Sequence, residues 1–354
     1  MRRYIAYWAL PVLSLTLVFA GCRQEPLPES GDPILFSVAR EVDAASRTKA
    51  DTDPPQASVP EDALLKDGSV VKLYGEVTKA GESAVALFEG GTDLTCVETS
   101  GVFNWSYAPL KYWVRGSAYD FLAVFPKSED IDNSSDSNQI VVNYSMEKEV
   151  DNQMVRNDYD LLVASSSVDA APPANNTVSL PFEHACAAVR FQFSDEGLPD
   201  DNVPPVYYIK SFELQHLFTE GTFTYDGTAG SWSTEGKYHI PAIYQWTGKW
   251  GVRRSLMSIP EREWLFVIPQ TLLRDRVNTS VHFTFVSVSA GKEGPEIPVT
   301  FNLDTYKGEQ VSWKQGKVYS YIIKLQPEQS SISFNVEDWE RSFLAVDDMI
   351  FNDD

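Results

Sequence analysis

The chain has 354 residues, with 29 basic and 50 acidic side chains and a formal net charge of −21. Such a charge excludes nucleic acid and anionic lipid surfaces as direct partners, because phosphate groups would be repelled. A chain of this length exceeds what one hydrophobic core usually serves, so two domains are expected.

Taken from its start, the sequence first offers a leader. Arg2 and Arg3 precede a mainly apolar run from Leu10 to Phe19, which is short and interrupted by Pro11. That pattern reads as an export signal, not a membrane-spanning helix. The run ends in Phe19-Ala20-Gly21-Cys22, which resembles a bacterial lipobox, so residues 1–21 are read as a lipoprotein signal peptide and Cys22 as the acylated first residue of the mature chain. The competing reading is an ordinary signal peptide followed by an incidental cysteine. Removal of residues 1–21 takes two arginines with it and leaves 27 basic against 50 acidic residues, a net of −23. Acyl chains are then what reach the membrane, and the polar, proline-bearing residues 22–32 form a tether that holds the body away from it.

Beyond the tether, period-two alternation dominates. "PILFSVA" (33–39) sets Ile34, Phe36 and Val38 on one face of a strand. A long stretch of low apolar content, 41–68, follows as an exposed loop that contains Arg47. "VKLYGEV" (71–77) and "QIVVNYS" (139–145) read as strands on either side of an acidic loop, "KSEDIDNSSDSNQ" (127–139). A break in "SDEGLPDDNVPP" (194–205) divides two strand-rich halves, so we expect an N-terminal domain over 33–196 and a C-terminal domain over 205–354. In the second half "WLFVIPQ" (264–270), "VHFTFVSV" (281–288), "EIPVTFNL" (296–303), "VYSYIIKL" (318–325) and "SISFNVEDW" (331–339) read as strands. In the second of these, Val281, Phe283 and Phe285 share the apolar face, with Val286 and Val288 falling on the polar one. "FEGGTD", "TYDGTAG" and "SAGKEG" supply turn signals. No segment of helical length carries a convincing apolar stripe, so the fold class is all-β, with antiparallel strands.

Chemistry is sparse. His184, His216, His239 and His282 stand far apart and in no metal-ligand spacing, and no nucleophile elbow, phosphate loop or dinucleotide fingerprint occurs. Neither metal, cofactor nor enzymatic activity is expected. Cys96 and Cys186 could pair after export, but Cys186 lies in the apolar run "HACAAVRF", which suits a buried free thiol at least as well. Two aromatic clusters, Trp105-Tyr107-Tyr112-Trp113 and Trp246-Trp250, are either core rings or exposed sugar platforms. "QWTGKWG", with Gly248 and Gly251 beside its tryptophans, looks loop-like and is the better candidate for glycan contact.

Several passages together resemble one family. "NWSYAPLKYWVRGSAYDFLAVFP" is similar to the aromatic-rich strand ending in Phe/Tyr-Pro of the fimbrillin (Mfa-like) proteins of anaerobic Gram-negative bacteria. "DYDLLVASSSV" followed by "VSLPFEHACAAVRFQF" resembles their Asp-Leu-Leu strand and the strand closing their first domain. "VSWKQGKVYSYIIKL" and "ISFNVEDWE" resemble their C-terminal Trp-x-x-Gly strand and final Asp-Trp. The resemblance implies two transthyretin-like β-sandwich domains in tandem with Greek-key strands, in a surface-exposed outer-membrane lipoprotein that serves cell adhesion as a stalk, anchor or tip subunit of a pilus (fimbrium). It implies other pilus subunits as partners, joined by strand addition. An Arg-specific protease would remove the first strand, here Ile34, Phe36 and Val38, by cutting at Arg40 or Arg47. The tail after Asp-Trp, residues 340–354, is short and acidic. The alternative is a monomeric surface glycan-binding lipoprotein of a nutrient-uptake system, with Trp246 and Trp250 in contact with sugar.

Overall fold

The computed structural model describes residues 31–40 and, with short interruptions, 67–338. The leader, Cys22, most of the tether, Arg47, most of the 41–68 loop and the 340–354 tail lie outside the described residues. Among those described there is no α-helix, and the chain folds as strands gathered into two bodies.

Along the first part run β1 (Leu35–Arg40), β2 (Val70–Lys79), β3 (Thr92–Thr99), β4 (Val102–Ser106), β5 (Ser117–Phe125), β6 (Ile140–Ser145), β7 (Leu162–Val168) and β8 (Thr177–His184). Along the second run β9 (Ala187–Ser194), β10 (Tyr207–Gln215), β11 (Glu220–Tyr225), β12 (Gly230–Ser233), β13 (Tyr244–Gly251), β14 (Ser280–Ser289), β15 (Ile297–Asn302), β16 (Lys317–Lys324) and β17 (Ser331–Asp338).

The first body is one sheet in the order β1-β8-β7-β5-β2-β3-β4. It curls so far that its ends meet: β1 runs beside β4, and Pro33 bridges to Tyr112. The curl follows from side-chain demand. Alternate residues of its strands, among them Phe36, Leu73, Phe121, Ala164 and Leu180, point inward and fill one apolar interior.

The second body packs two sheets face to face. One contains β9, β16 and β17, and the other has the order β13-β10-β14-β15. Their inner faces interdigitate through aromatic rings: Phe191 lies 5.2 Å from Phe212, and Phe193 lies 5.1 Å from Phe283. Val281, Phe283 and Phe285 are buried, as their spacing demands, and Val286 is buried on the opposite face as well. The turn signals sit where the backbone needs them. Ala290 and Gly291 both take positive φ in the two-residue loop between Ser289 and Lys292, the mirror-image turn that suits strand twist. Asp226 closes the β11–β12 hairpin by accepting the Thr228 hydroxyl and the Thr228 and Ala229 amides, and these bonds hold its carboxyl down at about pKa 2.

Three features depart from the sequence reading. First, the sheets are not wholly antiparallel: β1 runs parallel to β8, and β9 runs parallel to β16. Second, β9 packs with the second body, so the proline-rich 194–205 stretch joins two facing sheets of that body. Nor does the chain change cores at one point: Phe182 is in the first interior and Ala185 in the larger cluster, but Tyr74, Leu122, Val124 and Val163 of the first part also belong to the larger cluster. Third, β6 pairs with β11 and so ties the two parts of the chain together in a small sheet of β12, β11 and β6. Pairings of this kind carry little local signal, because the partner is distant in sequence.

Candidate functional site

The described residue set that best matches a functional device is β1 and the groove beneath it. Pro33 brings no amide hydrogen, so it suits the entry to an edge strand. From Ile34 onward the chain is extended, and inward and outward residues alternate. Ile34 is fully buried and Phe36 nearly so, Val38 packs partly buried against the same interior, and Leu35 is 42% exposed.

One edge of β1 is bonded along its whole length. Its parallel ladder with β8 sets Phe36 beside Val178 and Val38 beside Leu180, and it ends with Arg40 beside Phe182. Among the described residues, the other edge is held only at its start. The Ile34 amide donates to the Lys111 carbonyl at 2.8 Å, and the Trp113 amide donates to the Asp32 carbonyl at 3.1 Å. The Tyr107 hydroxyl donates to the Ile34 carbonyl at 2.9 Å. Burial pushes the Tyr107 phenol above its ordinary value, against the opposing effect of its bond to Lys111, so it stays a neutral donor. Beyond Ile34, β1 lies beside β4 without a ladder.

The groove is lined by residues that the strand pattern alone did not assign to it. Phe36 meets Tyr107 edge-on at 5.5 Å and Phe121 edge-on at 5.2 Å, and Phe88 meets Tyr107 from another side at 5.6 Å. Tyr107 was visible as part of an aromatic cluster, but nothing in the sequence says that this cluster receives the first strand. Of the proposed cleavage positions, Arg40 is the last residue of β1, and Arg47 is outside the described residues. Cys22, the proposed lipidation site, is outside them too.

The second candidate, Trp246 and Trp250, lies on β13 and not in a loop. Both rings are partly buried against the second core, and Trp250 meets Phe193 edge-on at 5.6 Å. Gly248 is needed there because a side chain would collide with the Trp246 ring, its Cβ only 2.7 Å from Cζ2. The alternation that would have revealed this strand is hidden by a bulge opposite Ile209–Ser211.

Cys96 and Cys186 are both buried and unbridged. His184 is buried and shares a 2.9 Å contact with Asp160, and His282 lies within hydrogen-bond distance of Ser280 and Thr300. Among the described residues, no group of three or more His, Cys, Asp or Glu side chains is placed to hold a metal ion.

Comparison with known proteins agrees with this picture of a strand-built fold. Residues 59–339 match the protein family described as fimbrillin-like, a family of structural and adhesion proteins without enzymatic activity. A solved fimbrial protein of Bacteroides vulgatus is similar to 87% of this chain over 100% of its own length, with 13% identity and a TM-score of 0.52. A candidate cell adhesion protein of Bacteroides uniformis is similar over 78% of this chain and 94% of its own, with 18% identity and a TM-score of 0.46. One from Bacteroides ovatus is similar over 90% and 99%, with 15% identity and a TM-score of 0.49. No curated protein matches the chain in sequence.

Proposed function

The chain belongs to the fimbrillin-like family, and on that premise we propose that it is a surface lipoprotein of the outer membrane that serves cell adhesion as a structural or tip subunit of a pilus. Cys22 carries the acyl chains. An Arg-specific protease cuts after β1, at Arg40 or Arg47, and the freed strand leaves. The groove then accepts a strand from another pilus subunit. The two bodies are the tandem transthyretin-like sandwiches that the family resemblance implies.

The observation that carries this reading is the asymmetry of the first strand. It buries Ile34 and Phe36, yet among the described residues it is ladder-bonded on one edge only. Its departure would uncover Tyr107, Phe121, Val178 and Leu180 together with the unpaired edge of β8, and apolar surface beside an open edge favours pairing with another chain. Trp246 and Trp250 are half-buried against the second core, which weighs against the glycan-binding alternative.

Replacing both Arg40 and Arg47 by Ala tests the reading. On exposure to an Arg-specific protease, wild type should lose its N-terminal segment and oligomerise, and the double variant should stay intact and monomeric. Wild type that is cut in this loop yet remains monomeric under assembly conditions would show strand exchange to be the wrong mechanism. Separately, Cys22→Ser should release the protein from the membrane fraction, since no helix among the described residues is long and apolar enough to span a bilayer. Retention at wild-type levels would remove the lipid anchor from the account.

A further inference from the structure

We infer that the groove beneath β1 is selective, and that it takes an extended segment of a second protein chain, running parallel to β8, with an aromatic ring at the centre of three alternate apolar positions. This inference rests on the strand-exchange reading above and adds to it the chemistry of the incoming strand.

The resident strand is the template. Its first inward residue, Ile34, occupies a closed pocket at 0% exposure, and the backbone on either side of it is pinned. The Lys111 carbonyl takes its amide proton and the Tyr107 hydroxyl donates to its carbonyl. Those two bonds fix where along the groove an occupant begins, so the positions that follow fall at set distances from that point. A shift of one residue would turn Ile34, Phe36 and Val38 outward and Leu35 inward.

The second inward position is the discriminating one. Phe36 stands edge-on between Tyr107 and Phe121, with interplanar angles of 69° and 84°. Phe88 braces Tyr107 from behind at 86°, and Tyr119 stacks along Phe121 at 8°. The box has this width because position 75 on the neighbouring β2 is glycine. A Cβ there would meet Phe121 at 2.9 and 3.1 Å and Phe88 at 3.4 Å, and would drive the wall inward. An edge-to-face pair needs a ring on both sides. A leucine in the box would lose both ring contacts and leave a void that close-packed walls cannot collapse to fill.

The third position asks for less. Val38 is only partly buried, beside Leu180 of β8. Between the inward positions, Leu35 faces outward at 42% exposure and imposes no constraint of its own. Direction is set by the β8 ladder, whose register with β1 is parallel over all six residues of the strand; hydrogen-bond spacing in a parallel pair differs from that in an antiparallel one.

The test uses the full chain, cut by an Arg-specific protease in the presence of excess fluorescent peptide with the sequence of residues 33–40, and it reads label comigrating with the protein on a native gel. Four peptides are compared: the native sequence, Phe36→Leu, Phe36→Ala and Ile34→Leu. We expect the native peptide to be retained, the Phe36→Leu peptide to be retained about tenfold less, given two lost ring pairs, and the Phe36→Ala peptide to be retained least. The Ile34→Leu peptide should stay within about threefold of native, as for a near-isosteric aliphatic swap. Repeating the comparison on the Tyr107→Leu protein should bring the ratio of native to Phe36→Leu peptide close to one, a readout that does not depend on how well that variant binds overall. Equal retention of the native and Phe36→Leu peptides by wild type overturns the selectivity and leaves strand exchange standing. Retention of no peptide by the cut chain overturns strand exchange itself, and the selectivity with it.

Discussion

Among the described residues two strand pairs are parallel, β1 with β8 and β9 with β16, and β1 and β9 behave as opposites. β1 lies against β8 on one edge, and among the described residues its other edge carries no ladder beyond the bonds at Ile34. β9 lies against β16 on one edge and is paired on the other with residues 257–258 and 265–267. Every residue of β9 is buried, whereas the first strand alternates, with Ile34 and Phe36 buried and Leu35 exposed. The inward faces are alike, each built on phenylalanine in contact with other rings. A buried apolar face therefore does not decide whether a strand can leave. The number of bonded edges does, because detaching an edge strand breaks one ladder and detaching a central strand breaks two.

The largest effect that sharpens this contrast should come from β9. Phe191→Ala removes a fully buried ring between Phe212 and Tyr321, and a loss of ~3–5 kcal/mol is expected in stability measured by denaturant unfolding. Phe285→Ala, on the opposite sheet, should fall in the same range. A midpoint near wild type for either would mean that the second core is not packed as described.

A smaller global effect is expected from Phe36→Ala, although its ring is almost as buried. The loss of an edge strand's contacts cannot exceed the free energy that docks that strand, since beyond it the strand detaches while the rest stays folded. Stability should therefore fall by less than the ~3–5 kcal/mol typical of buried aromatic truncations, while cleavage after residue 40 accelerates. A full-sized global shift with no change in cleavage would break the comparison.

Asp195, just past the end of β9, gives a pH test. Burial pushes its carboxyl above the ordinary range, against the opposing effect of the Gly197 amide at 3.0 Å, and its Oδ2 has no hydrogen-bond partner among the described residues. A raised folded-state value means that this group's contribution is fully present below the unfolded value of about 3.9. It is lost as pH rises through the folded value. Asp195→Asn should accordingly raise the unfolding midpoint at neutral pH and leave it unchanged in acid. A variant less stable than wild type at neutral pH would contradict the assignment. The smallest effect should be that of Leu35→Ser on the outward face of β1, within about 0.5 kcal/mol of wild type.

How much of this was legible in the sequence follows from the range of each interaction. Alternation within a strand is local, so Ile34, Phe36 and Val38, or Val281, Phe283 and Phe285, announced their shared faces. Turn chemistry is local too, and Asp226-Gly227 and Ala290-Gly291 stand where it put them. Pairing partners are not local. Nothing within residues 187–194 says that their neighbour is 317–324, and a run of proline and acid at 194–205 looks the same whether it separates domains or joins two sheets. The groove was hidden for the same reason: Gly75, Phe88, Tyr107 and Phe121 come from four different segments and acquire a common purpose only when the sheet curls. In β13, a bulge and a glycine under a tryptophan made a strand look like a loop.

The central claim, that β1 is the detachable element of an otherwise closed body, is tested most directly by amide hydrogen exchange of the intact chain, with residues 35–40 and 187–194 followed in the same sample by mass spectrometry. The account predicts that 35–40 exchange through a local opening well before 187–194, whose protection should approach that of global unfolding. Equal protection of the two strands would contradict it.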